Sequence, residues 1–362
     1  MSNLKKRNSS FELLRIISMF MIVIHHFTYH GTMWSQYSST NHAFNAAGAY
    51  FVLLGKTGVD IFVMLGAYFL VDKRFNFRRP ISLILTTLLY SFTIFLIIYS
   101  CLPKLLEPTH MTLLKALLPF PIPNGYWFVN SYIFMLICMP FLNKIINSFS
   151  KRRIKQLIIT LTILWSIVPT LLAILPTKPD FSTDSIGFSG GTFFLLLYLI
   201  GAYIKKNGRD IRTSKSLFYL VCIIIFSVFL TSLGVQTRQS FKVLSLVSTI
   251  FNPISLIVAI FIFSFFTKFN FHSVLINYIS GSMFGVYLIH DNTFLRPYIW
   301  KQLVNASKIT QANSFISFAL VSSIEVFVIC LMIDIIFRRI LLKWPLKELT
   351  QLISNLFTKI FK

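Results

Sequence analysis

Apolar runs of about 17–25 residues, each long enough to cross a hydrocarbon core as a helix, dominate this chain. They recur at about 11–30, 48–71, 80–102, 126–147, 154–176, 190–204, 216–234, 245–268, 273–293 and 312–337. In lipid the backbone must satisfy its own hydrogen bonds, so each run is expected to be helical. The fold class expected is all-α: a polytopic transmembrane bundle of about ten spans. The sixth run is short, and polar residues interrupt the seventh and ninth. A composition 55% hydrophobic, 16% aromatic and only 12% charged, with 39 Phe, excludes an ordinary soluble globule. The longest connections, near 31–47, 103–125 and 294–311, are too short to build a core of their own. Residues 1–340 therefore read as one membrane domain. Residues 341–362 read as a cytoplasmic amphipathic helix, with Leu346, Leu349, Leu352, Ile353 and Leu356 at helical spacing.

Charge gives the bundle a direction. The net charge of +23 would by itself suggest a nucleic-acid partner, but its distribution argues against one. Basic clusters at 5–7, 73–79, 144–155, 205–215 and beyond 337 fall between alternate apolar runs, as cytoplasmic loops do. Both termini are then cytoplasmic, the protein is multi-pass in the cell membrane, and anionic lipid head groups account for most of the Lys and Arg. The start, Lys5-Lys6-Arg7 before an apolar run, imitates a signal peptide, yet the run carries charged residues and no small-x-small cleavage site. Cys101, Cys138, Cys222 and Cys330 stand singly, without metal-ligand or redox spacing. The first loop, with Trp34 and Tyr37 and no Lys or Arg, suits an aromatic belt or contact with sugars.

No phosphate loop, GxGxxG or His-Glu-x-x-His motif is present, so chemistry must come from ionisable groups inside the membrane. The first run, FELLRIISMFMIVIHHFTYH, holds Glu12, Arg15, His25 and His26. Arg15 and His26 are eleven positions apart, which on a helix returns to within about 20° of one face, roughly 16 Å along the axis. His25 points about 80° away from that face and suits a supporting role. With the N-terminus inside, Arg15 lies near the cytosol and His26 in the outer half. Asp60, His290 with Tyr287 one turn before it, Trp127 and Asn130 come to a similar depth. Each has a plain alternative: Arg15 pairs with Glu12, Asp60 joins two helices, Trp127 belongs to the belt, and Tyr287 and His290 pack.

Arg15, ten residues and His26, preceded by Glu12-Leu-Leu-Arg15, is the marker by which the chain resembles the integral-membrane acyltransferases of the acyltransferase 3 family. GVDIFVMLGAYF at 58–69, NGYWF at 124–128 and SGSMFGVYLIH at 280–290 follow in family order over most of the chain. Where Glu12 stands the family usually has Asp. The resemblance implies transfer of an acetyl or other short acyl group from acyl-CoA to a hydroxyl of a bacterial cell-surface or lipid-linked glycan. Acetyl-CoA would be a co-substrate, with no bound cofactor and no metal. It implies His26 as general base, with Arg15 and Asp60 beside it in the catalytic set. Glu12, His25, Trp127, Asn130, Tyr287 and His290 would contact substrate, and Arg78 and Arg79 in a cytosolic loop would meet acyl-CoA. The esterase-like extracellular domain of some relatives is not expected. A transporter or flippase of glycan intermediates, using the same buried groups as a proton relay, is the rival reading. No inverted repeat supports it.

Overall fold

The protein is represented by a computed structural model that describes residues 7–32, 42–103, 106, 109–119, 125–174, 190–208, 213–236, 249, 251–305 and 312–360. Trp34, Tyr37 and Asn124 lie outside them. The described residues form helices and no strands. In chain order they are α1 (Ser9–His26), α2 (His42–Leu70), α3 (Arg78–Cys101), α4 (His110–Leu117), α5 (Trp127–Ser148), α6 (Lys151–Thr162), α7 (Val168–Ile174), α8 (Gly190–Asn207), α9 (Thr213–Gln236), α10 (Pro253–Phe266), α11 (Val274–Ser280), α12 (Met283–His290), α13 (Ala312–Asp334) and α14 (Lys343–Ile360).

Six helical stretches are long and apolar enough to cross a membrane: Ser9–Gly31, Asn45–Leu70, Arg78–Cys101, Trp127–Ser148, Lys151–Leu172 and Ser314–Leu341. The segments Leu217–Leu233, Pro253–Phe266 and Val274–His290 are apolar but shorter, and the run near 190–204 folds as an 18-residue helix, α8. Among the described residues, six stretches thus meet the length and hydropathy of a full span, where the apolar runs predict about ten.

Helices α1 and α2 are the centre of the bundle, packing more extensively on each other than any other pair. Small residues permit this closeness: Gly55 of α2 lies directly against the His25 side chain, where a Cβ would overlap it. The start of α1 is tied to the segment joining α10 and α11. Ser9 N–H donates to the Phe271 carbonyl at 2.8 Å, Ser10 Oγ to the Phe266 carbonyl at 2.7 Å, and Asn8 Nδ2 to the Phe269 carbonyl at 2.9 Å. These bonds satisfy donors and acceptors that a helix end leaves open and fix the depth of α1 relative to α11 and α12.

The ninth run is not one helix. It breaks between α11 and α12 at Gly281 and Ser282, and a break leaves helix-end carbonyls that need partners. They come from a π-helical extension of α13, Ile335–Leu341. Arg338 Nη2 donates to the Gly281 carbonyl at 2.8 Å, and Arg339 donates to the Tyr278 carbonyl while its guanidinium stacks 3.9 Å above the Tyr278 ring. Arg338 also binds both oxygens of Asp334 at 2.7 Å, and Tyr90 of α3 donates to the same carboxylate at 2.7 Å. Asp334 is fully buried. The break therefore holds α12 at a defined position against α3 and α13.

Candidate active site

The end of α1 and the end of α12 meet. His26 Nδ1 lies 2.9 Å from His290 Nε2, and His290 Nδ1 lies 2.6 Å from the Val286 carbonyl one turn back on α12. The carbonyl can only accept, so His290 carries its proton on Nδ1. The neutral His290 ring then presents a lone pair at Nε2, which accepts from Nδ1–H of His26. The network thus assigns the His26 proton to Nδ1 and leaves a lone pair on Nε2. An imidazole held in one tautomer with its Nε2 free is equipped to take a proton from a hydroxyl.

Beyond His26 the helix widens into a π-helical turn, Phe27–Thr32, a form common at functional sites. Thr28 Oγ1 donates back to the Ile24 carbonyl at 3.1 Å, competing with the α-helical ladder there. The turn places the His30 ring 5.1 Å from the His26 ring. Both face Asp291: its Oδ1 lies 3.8 Å from His26 Nε2, 3.6 Å from His30 Nε2 and 3.0 Å from Arg296 Nη1. A carboxylate 96% buried and ion-paired to a guanidinium remains an anion. It is set to stabilise an imidazolium formed at His26. Nitrogen and carboxylate atoms of His26, His30 and Asp291 fall within 4.8 Å of one another, a spacing a metal ion could use. The guanidinium already bound to Asp291 opposes a dication there.

Further contacts hold the outer end of α12. Tyr126 donates its hydroxyl to the Leu288 carbonyl at 2.6 Å and accepts from Asn292 Nδ2 at 2.8 Å. The Tyr287 ring is packed among Tyr126, Phe128, Phe284 and His290. Among the described residues the buried indole N–H of Trp300, whose ring stands across His290, has no hydrogen-bond partner, while the buried Tyr287 hydroxyl makes no close hydrogen bond but interacts with the Asp291 carboxylate. An unpaired buried donor costs about 1–3 kcal/mol, so the Trp300 N–H beside the imidazole pair is a group that a ligand acceptor would satisfy.

The remaining candidates lie elsewhere. His25 Nδ1 contacts the Val52 carbonyl at 3.1 Å, anchoring α1 to α2. Asp60 accepts from Ser255 Oγ of α10 at 3.1 Å and does not touch His26. Glu12 is buried beneath Arg7, Arg15 and Ser280, the last donating at 2.6 Å. Trp127 and Asn130 are exposed at the start of α5, with Trp127 against Phe128 and Phe194. His30, Arg296, Tyr126 and Asn292 are neighbours that sequence reasoning did not select, and Asp291, an ionisable group of the ninth apolar run, received no role from it. Asp291 directly follows His290, and Tyr126 stands inside NGYWF, so position in the motifs was the available signal.

At the Arg15 end a basic groove opens. One lobe, about 560 Å³, is lined by Asn76, Arg78, Arg79, Ser82, Thr86 and Phe284 among others. A second, about 480 Å³, shares Arg78, Ser82 and Arg338 with it and adds Lys343 and Lys347 of α14. Arg15 and Arg79 both lie within electrostatic range of Tyr132. From Phe284 the rings of Tyr287 and His290 follow at successive centroid spacings of 6.4 and 6.2 Å, a row leading from the groove to His26.

A family model described as an acyltransferase domain matches residues 8–335. No curated protein and no solved structure matches the chain.

Proposed function

The chain belongs to this acyltransferase family, and on that footing we propose that it moves an acetyl, or another short acyl group, from acyl-CoA to a hydroxyl of a cell-surface or lipid-linked glycan. The observation that carries the reading is the hydrogen-bond relay from the Val286 carbonyl through His290 to His26, which leaves Nε2 of His26 as a directed base. The acceptor hydroxyl gives its proton to Nε2 as its oxygen attacks the thioester carbonyl. The carbon–sulfur bond then breaks, and the departing CoA thiolate takes the proton from His26. An O-acyl ester and free CoA result, with protons in balance. Asp291 stabilises the transient imidazolium. The Tyr287 hydroxyl is the donor available to the carbonyl oxygen as it gains charge.

On this reading both termini lie in the cytosol, in keeping with the basic loops, and the shorter apolar helices join the six that are long enough to cross in a layout of about ten spans. The groove at Arg78 and Arg79 then faces the cytosol and receives the donor nucleotide. The acyl arm runs along Phe284 and Tyr287 toward the outer half. Arg15, whose guanidinium keeps N–H groups beyond those bound to Glu12, holds phosphate near the start of that route.

The experiment is direct. Purified protein in lipid, given labelled acetyl-CoA and a glycan acceptor, transfers label, and His26→Ala abolishes the transfer. Translocation of glycan without labelled product would replace this reading by the transporter.

A further inference from the structure

We propose that α14, which lies beyond the residues matched to the family, forms a wall of the donor pocket and binds the ribose 3′-phosphate of CoA through Lys343 and Lys347. The inference rests on acyl-CoA being the donor. CoA carries a diphosphate next to its pantetheine arm and a separate phosphate monoester on the ribose. The groove has two lobes to match. The lobe with Phe284 begins the row of rings toward His26, so the diphosphate and the arm belong there. The other lobe, bounded by Arg78 and Ser82 of α3, Tyr278 of α11 and Lys343, Lys347 and Thr350 of α14, is left for the monoester.

Charge within that lobe is uneven in a way that points to an anion. Arg338 is neutralised by Asp334, and Arg339 is committed to the Tyr278 carbonyl and ring. Among the described residues, Arg78, Lys343 and Lys347 have no carboxylate partner, and none of those lining the lobe is acidic. Helix geometry puts Lys343, Lys347 and Thr350 on one face and turns Glu348 about 130° away. A phosphate monoester brings a charge of about −1.5 to −2 and three acceptor oxygens. The basic face of α14 is not its lipid-facing side: Leu349, Leu352, Leu356 and Ile360 are exposed on the rest of the helix, while the lysines border a concavity shared with α3 and α11.

The test compares CoA with dephospho-CoA, which lacks only the 3′-phosphate, using full-length protein in nanodiscs of phosphatidylcholine. Binding of each and KM for each acetyl ester are measured for wild type, Lys343→Ala/Lys347→Ala and Lys343→Arg/Lys347→Arg. Wild type should favour CoA about tenfold or more, as expected for charge-assisted contacts to phosphate. The double alanine variant should bring the ratio near one, and the arginine variant should retain most of the preference. Absence of the preference in wild type, its survival in the alanine variant, or an equal loss with both donors overturns the assignment. Recovery of the alanine variant by anionic lipid would instead make these lysines a head-group contact. If CoA is preferred in binding but no acyl transfer occurs, the functional reading fails while the phosphate site stands.

Discussion

At the scale of single residues, the assignment turns on which nitrogen of His26 is free. His26→Gln keeps a polar side chain but no base, and turnover should fall by about 10²–10⁴, measured as label transfer with acceptor saturating. His290→Ala removes the acceptor that fixes the His26 tautomer, so kcat should drop while KM for the donor holds. A drop confined to KM would assign His290 to substrate binding instead. Tyr287→Phe deletes a hydroxyl that makes no close hydrogen bond in the free protein and interacts there with the Asp291 carboxylate. Thermal stability should therefore be unchanged or higher while kcat falls about 10²-fold or more, the loss typical of an oxyanion donor. Loss of stability with unchanged kcat would make that hydroxyl structural.

At the scale of elements, the break between α11 and α12 depends on α13. Removing the guanidinium in Arg338→Ala strands the buried Asp334 carboxylate and the Gly281 carbonyl together. Breaking a buried ion pair in this way costs about 3–5 kcal/mol, and thermal unfolding in detergent should show a marked fall in midpoint. Asp334→Asn with Arg338→Met, which removes both charges, should recover part of it. Gly55 makes a related point for α1 and α2. Gly55→Leu forces the His25 side chain off the α2 backbone, so reduced stability should accompany reduced activity, because the displaced ring lies 5.1 Å from that of His26.

At the scale of the whole molecule, the chemistry is divided along α1: a basic groove at the Arg15 end and an imidazole–carboxylate cluster some 16 Å away at the other. Such a division lets a donor enter from one side of a bilayer and an acceptor from the other, and the positive-inside rule predicts that the groove faces the cytosol. In right-side-out vesicles, a cysteine introduced at Lys347 of a cysteine-free variant should react with an impermeant maleimide only after the membrane is opened. Reaction in sealed vesicles would invert the topology and with it the route of the donor.

Hydropathy alone determined that this chain is helical and lives in a bilayer, because apolar runs of that length and a backbone without water leave no other choice. Helical periodicity also placed Arg15 and His26 on one face, since that spacing is local to a single helix. What lay beyond local reach was decided by tertiary structure. The partner of His26 is His290, 264 residues away, and the nearby carboxylate is Asp291, not Asp60, because the break before α12 and the π turn after His26 set where those ends meet. The length of a run likewise did not show that Gly281 and Ser282 interrupt the ninth, since only Arg338 and Arg339 from another helix make the interruption tolerable. Spacing along one helix is written in its own residues, whereas the pairing of buried polar groups depends on which helices pack together.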